Sequence, residues 1–143
     1  MKQPIPIAIM IWGFLMGLLP LVFVGIAYFD PAFYGENWAA QGLAKFGDVY
    51  GNYVARNAAS ALIMFFALWQ RNAAMLIVAF LMRIFSDLFD VIHNTIAGTI
   101  DLFYVLDASF LATGCLVAIY FLWGKRSVDI DTISTAPIEA NSK

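Results

Sequence analysis

Long apolar stretches separated by short polar breaks dominate this chain. A helix needs about 20 apolar residues to cross a hydrocarbon layer ~30 Å thick. Four stretches approach that length, from about Pro6 to Phe29, Asp48 to Trp69, Ala73 to Ile92 and Asp101 to Trp123. The first is longer than the roughly 7 to 15 residue apolar core of a signal peptide, and no small-x-small cleavage site follows it, so it is expected to persist as a helix. Pro20 removes the hydrogen bond to the Met16 carbonyl and should kink it. Gly13 and Gly17, in "GFLMG", offer a small face for another helix. Only Gln70, Arg71 and Asn72 separate the second and third stretches, which forces a tight antiparallel helical hairpin. The first connection, "DPAFYGENWAAQGLAKFG" from Asp30 to Gly47, is longer. There Asp-Pro breaks the helix, Asn37 can cap a short new one, Gly47 can end it, and Trp38, Leu43 and Phe46 would dip into the membrane interface. A lid and a plain surface helix both fit that segment, the surface helix more simply.

Composition turns these helices into a membrane expectation. The chain is 62% hydrophobic and 13% charged, with a mean hydropathy of +0.79, which leaves too few polar residues to cover the outside of a soluble core. The expected fold class is therefore all-α, a polytopic membrane four-helix bundle over residues 1–126, followed by a polar, disordered tail over 127–143. Lys2, Arg71, Lys125 and Arg126 fall on one side against Lys45 on the other, so both termini should face the cytoplasm and the first loop the outside of a cytoplasmic (inner) membrane. Trp69 and Trp123 then sit at the inner boundary and Tyr28, Tyr34 and Tyr50 near the outer one. The net charge of -2 provides no basic field for nucleic acid. The single cysteine, Cys115, excludes an intrachain disulfide and reads as a packing residue.

The third stretch contains "RIFSDLFDVIHN", residues 83 to 94, where charges interrupt the apolar run. On a helical wheel with Arg83 at zero, Asp87, Asp90 and Asn94 fall at about 40°, -20° and 20°, with His93 about 80° off. Ile84, Phe85, Leu88, Phe89 and Ile92 occupy the other side, which can face lipid. An Arg or Asp at the centre of a membrane helix costs about 2.5 to 3.5 kcal/mol, while each Leu, Ile, Phe or Val returns about 0.3 to 0.6. The polar stripe must therefore turn inward and find partners. The second helix supplies Arg56 about two turns in, on a small polar face with Asn52, Tyr53, Ala59, Ser60 and Ile63. The fourth supplies Asp107 at similar depth, on a stripe with Tyr104, Leu111, Gly114 and Ala118. Arg56, Asp87, Asp90 and Asp107 are thus expected at one level in the outer half of the membrane, with Arg83 about a turn deeper.

Two arginines against three aspartates leave one carboxylate in excess. Desolvation and like-charge repulsion favour a neutral acid beside an ionised base, an arrangement suited to proton transfer. Asp87, Asp90 and Asp107 are the catalytic candidates. Arg56, Arg83, Asn52, Tyr53, Asn57, Ser60, His93, Asn94 and Tyr104 are the ligand-binding candidates. Asp90 and His93, spaced i, i+3, echo half of a carboxylate-histidine metal motif. With one histidine in the chain and arginines nearby, no metal is expected.

Three function classes remain. One is binding of a small lipophilic or quinone-like molecule, as a subunit of a redox assembly. Another is acid-base catalysis on an isoprenoid-like substrate by an epoxide hydrolase, isomerase or cyclase, with Tyr53 and Asn57 orienting it. The last is a structural or interaction role for a buried ion-pair network. No resident cofactor is expected, although a quinone would suit the first class. The expected partners are membrane lipid, a small lipophilic molecule, and another membrane protein or a second copy of the chain. "YGNYVARNAASAL", the short basic turn and "RIFSDLFD" resemble the pattern of the DoxX-like family of small four-helix membrane proteins, over roughly residues 45 to 123. The resemblance implies a four-helix bundle in a cytoplasmic membrane. Some relatives are linked to quinone-dependent thiosulfate oxidation, but no catalytic residue of that reaction can be matched here, so the activity is not carried over.

Overall fold

The computed structural model describes residues 4–30, 49–98 and 101–134. Within them the chain forms four helices and no strand: α1 (Ile7–Phe29), α2 (Val49–Gln70), α3 (Ala73–Ala97) and α4 (Leu102–Ser134). The Asp30 to Gly47 connection, read as a lid or a surface helix, falls almost wholly outside the described residues.

Local chemistry sets the helix boundaries. α2 stops because Arg71 adopts a left-handed conformation, φ 48°, which lets its N–H donate to the Leu68 carbonyl at 3.1 Å and the Asn72 N–H to that of Ala67 at 3.5 Å. One residue later Asn72 starts α3, its side-chain oxygen accepting from the Ala74 and Met75 N–H groups at 3.0 and 3.2 Å. The turn, two residues long because Gln70 still belongs to α2, thus closes one helix and opens the next. Gly98, with φ 68°, ends α3, its N–H donating to the Asn94 and Thr95 carbonyls. Asp101 caps α4 by accepting from the Tyr104 N–H at 2.7 Å. α1 runs through Pro20, which is buried.

α1 packs along α2 and α3 along α4, while α2 joins the two pairs through α3. Gly13 and Gly17 permit the first contact. A Cβ on Gly13 would lie 3.0 Å from the Leu68 side chain, and one on Gly17 3.1 Å from the Phe65 ring. Gly114 plays the corresponding part for α4, since the Trp12 ring occupies the place where its Cβ would stand; Trp12 also meets Phe110 edge-on, centroids 5.9 Å apart. The main core, which includes Met16, Leu68, Leu76, Phe80, Cys115 and Leu122, draws mostly on the first half of α1, the second half of α2, the first half of α3 and the middle of α4, from Leu111 to Leu122. At that same end Lys125 Nζ donates to the Pro4 carbonyl at 2.6 Å, tying the start of α1 to α4.

Several expectations need adjustment. The packed face of α2 runs through Val54, Asn57, Ala61, Met64 and Leu68, not through Ala59 and Ile63, which are exposed; Met64 and Leu68 are turned to the glycine face of α1. Ile84, placed on the lipid side, packs against the core. Residues 127–134, read as the beginning of a disordered tail, continue α4; no Gly or Pro interrupts "SVDIDTIS". Two helices, Ile7–Phe29 and Leu102–Lys125, are long and apolar enough to cross a membrane, and most of their residues lie outside the protein interior. In α2 and α3, Arg56, Arg83, Asp87 and Asp90 dilute the apolar character.

Candidate functional site

Where the core ends, a cavity of about 960 Å³ opens. Its walls come from the second half of α1 (Leu19, Phe23), the first half of α2 (Asn52, Tyr53, Arg56, Asn57), the middle and second half of α3 (Arg83, Asp87, Phe89, Asp90, His93, Asn94) and the first half of α4 (Tyr104, Asp107, Ala108, Leu111). The helices place these residues together by simple periodicity. Arg83, Asp87, Asp90 and Asn94 recur every three or four positions along one face of α3, and Asn52, Tyr53, Arg56 and Asn57 do so on α2. A second hollow of about 600 Å³ is lined by Leu116, Ile119, Tyr120, Phe121, Trp123 and Gly124, all from α4, so no other helix closes it.

Two ion pairs organise the cavity. Arg56 Nη2 on α2 donates to both Asp90 oxygens on α3, at 2.8 and 2.7 Å, so this pair bridges two helices. Both of its side chains stay partly accessible, at 36% and 30%. The Arg56 guanidinium also lies 5.9 Å from the Tyr53 ring centroid, on the same helix. Arg83 pairs with Asp87 one turn along α3, through Nη2–Oδ1 at 2.7 Å and Nε–Oδ2 at 3.1 Å. This second pair is buried, at 9% and 11% side-chain exposure. Its two parallel contacts satisfy the fork geometry of guanidinium and carboxylate, which is what permits such burial. Asn57 anchors the floor of the site by donating Nδ2 to the Tyr53 carbonyl at 2.9 Å.

No family model, curated protein or solved structure matches this chain.

Of the candidates named from sequence, Arg56, Arg83, Asp87, Asp90, Asp107, Asn52, Tyr53, Asn57, His93, Asn94 and Tyr104 all line the cavity. Ser60 does not; it is buried one turn deeper in α2. The pairing differs from a cluster in which every charge bridges helices. Arg83 turns to Asp87 on its own helix because i, i+4 spacing already brings the two together. Asp107 is exposed to the cavity, and among the described residues it makes no hydrogen bond or ion pair. Apolar wall residues escaped the sequence reading: Leu19 and Phe23 carry no signal that separates them from lipid-facing neighbours, and Phe89, placed on the lipid side, is exposed and also borders the cavity. Among the described residues no three His, Cys, Asp or Glu side chains form a group that could hold a metal ion.

The arrangement couples fixed charge to apolar walls. Leu19, Phe23, Phe89 and Leu111 can embrace a greasy body, while Asn52, Tyr53, His93, Asn94, Tyr104 and Asp107 offer donors and acceptors to a polar head. The paired arginines hold Asp87 and Asp90 in place without leaving a bare cation.

Proposed function

We propose that this is an integral membrane protein whose four helices cross a cytoplasmic membrane as a bundle, both termini inside, and whose cavity binds a small lipophilic molecule with a polar head. α2 and α3 cross as well because their charges are matched internally, which lowers the cost of placing them at membrane depth. Large apolar side chains on the outside of every helix, among them Phe14, Phe66, Phe85 and Phe110, support a lipid surrounding. So do the Thr95 and Thr113 hydroxyls, which donate to the Val91 and Ser109 carbonyls at 2.7 and 2.8 Å and so need no water. The resemblance to DoxX-like proteins agrees with this reading. A quinone meets the ligand description, and a subunit role in a redox assembly would follow from it.

One observation carries the proposal: a cavity of about 960 Å³ has Leu and Phe walls and a row of matched charges along one side. Ligand pockets typically measure about 300 to 1,000 Å³ and combine apolar lining with a few fixed polar groups. The test is mass spectrometry of protein purified from native membranes in mild detergent, comparing the parent with Ala108→Phe, which fills the cavity from α4. A lipophile should accompany the parent and be depleted in the variant. Equal recovery with both, or none with either, would overturn the proposal.

A second reading has its own support, since the Arg-held carboxylate of Asp90 shares one cavity with Asp107, which pairs with no described residue. A carboxyl group that donates a proton and another that accepts one could open an epoxide or shift an alkene in an isoprenoid-like substrate. Turnover that persists in Asp87→Asn, Asp90→Asn and Asp107→Asn, each tested singly, would eliminate it.

A further inference from the structure

The charge arrangement narrows the class of ligand, an inference that rests on the lipophile-binding reading above. We propose that the cavity selects an amphiphile whose head is a protonated amine, and that Asp107 receives this head. Each arginine already serves a carboxylate. Arg56 gives Nη2 to both oxygens of Asp90, and Arg83 gives Nη2 and Nε to Asp87. Arg56 Nε is buried, which keeps it out of a ligand's reach. An anionic head would have to share a guanidinium with a carboxylate already held at 2.7 Å. It would also enter a space whose described walls carry two guanidinium groups against three carboxyl groups.

Asp107 has the opposite character. It projects from α4 into the cavity, is exposed there, and makes no ion pair or hydrogen bond with any described residue. A cationic head placed at Asp107 gains a charge-assisted hydrogen bond and balances the surplus carboxylate. Tyr104, one turn before it, lies beside the same position and can stack on or hydrogen-bond to an ammonium group. The apolar tail would then extend along Leu19, Phe23 and Leu111.

The test uses dodecylamine, dodecanol and dodecanoate at equal, low mole fraction in detergent micelles, with the thermal midpoint of the full chain as readout. Dodecylamine should stabilise the parent at about tenfold lower concentration than dodecanol, as expected for one hydrogen bond to a charged group, and dodecanoate should be weakest. Asp107→Asn, at an exposed position that pairs with no described residue, should fold normally and bring the amine down to the level of the alcohol. If dodecanoate stabilises as well as the amine does, or if Asp107→Asn leaves the amine's advantage intact, the head-group assignment falls while the lipophile-binding reading stands. If none of the three shifts the midpoint and Ala108→Phe makes no difference, both fall together.

Discussion

Removing one member of the Arg83–Asp87 pair should cost far more than removing both. The pair is buried, at 9% and 11% side-chain exposure, and its two contacts measure 2.7 and 3.1 Å. In Asp87→Leu the guanidinium stays in the interior and cannot discharge, because arginine does not lose its proton in proteins. Breaking a buried pair costs about 3 to 5 kcal/mol, and the residual accessibility from the cavity places this case near 3. That is roughly a hundredfold shift in the folded-to-unfolded ratio. Arg83→Met leaves a carboxylate that can take up a proton, so about 1 to 2 kcal/mol is expected. The double variant Arg83→Met/Asp87→Leu replaces the pair with apolar side chains of similar volume and should lie within about 1 kcal/mol of the parent. The coupling between the two sites is then at least about 3 kcal/mol. Unfolding in mixed micelles by added sodium dodecyl sulfate, followed through the four tryptophans, measures all three. Additive costs in the double variant, or a loss below about 1 kcal/mol in Asp87→Leu, would show that the pair is solvated and would remove the electrostatic basis for the site.

Other consequences follow from the packing and the turns. Gly114→Leu should destabilise by about 2 kcal/mol or more, since Trp12 occupies the space of the new side chain; a Trp12→Ala background should recover part of that loss in the same unfolding assay. Arg71→Gly should stabilise the chain by about 1 kcal/mol, because glycine adopts the left-handed backbone at φ 48° without strain. Asn72→Ala, which deprives α3 of its cap, should cost about 1 kcal/mol. Arg56→Met should cut binding of any cavity ligand more than it cuts stability, since its partner Asp90 is partly accessible and can be hydrated; equal effects on both, measured by ligand-induced thermal shift and by unfolding, would point to a purely structural bridge.

Much of the site was legible because its residues violate the apolar pattern around them. Arg83, Asp87, Asp90 and Asn94 announce a common face through helical spacing alone, and the cost of charges at membrane depth says that this face must turn inward. Arg56 and Asp107 were found by the same logic, from their depth along neighbouring helices. Periodicity cannot say which partner each charge takes. Arg83 could reach across to another helix or along its own, and the i, i+4 geometry decided for Asp87. Nor could it distinguish Leu19 and Phe23, which line the cavity, from Leu18 and Val22, which are exposed, because all four are apolar. The face of α2 was misplaced for a related reason. The stripe of Asn52, Tyr53, Arg56, Ala59, Ser60 and Ile63 suggested close approach there, while the glycines of α1 gave Met64 and Leu68 the better contact. The hairpin turn was legible from its length, but the left-handed Arg71 was not, since nothing in the residue type favours that conformation.

The most direct test is an experimental structure of the full chain crystallised from a lipidic mesophase. Elongated density between the four helices, with its polar end at Asp107 beside an intact Arg56–Asp90 bridge, is the expected result. A closed interior with every charge paired and no room for a ligand, or Arg56 turned toward acyl chains, would contradict it.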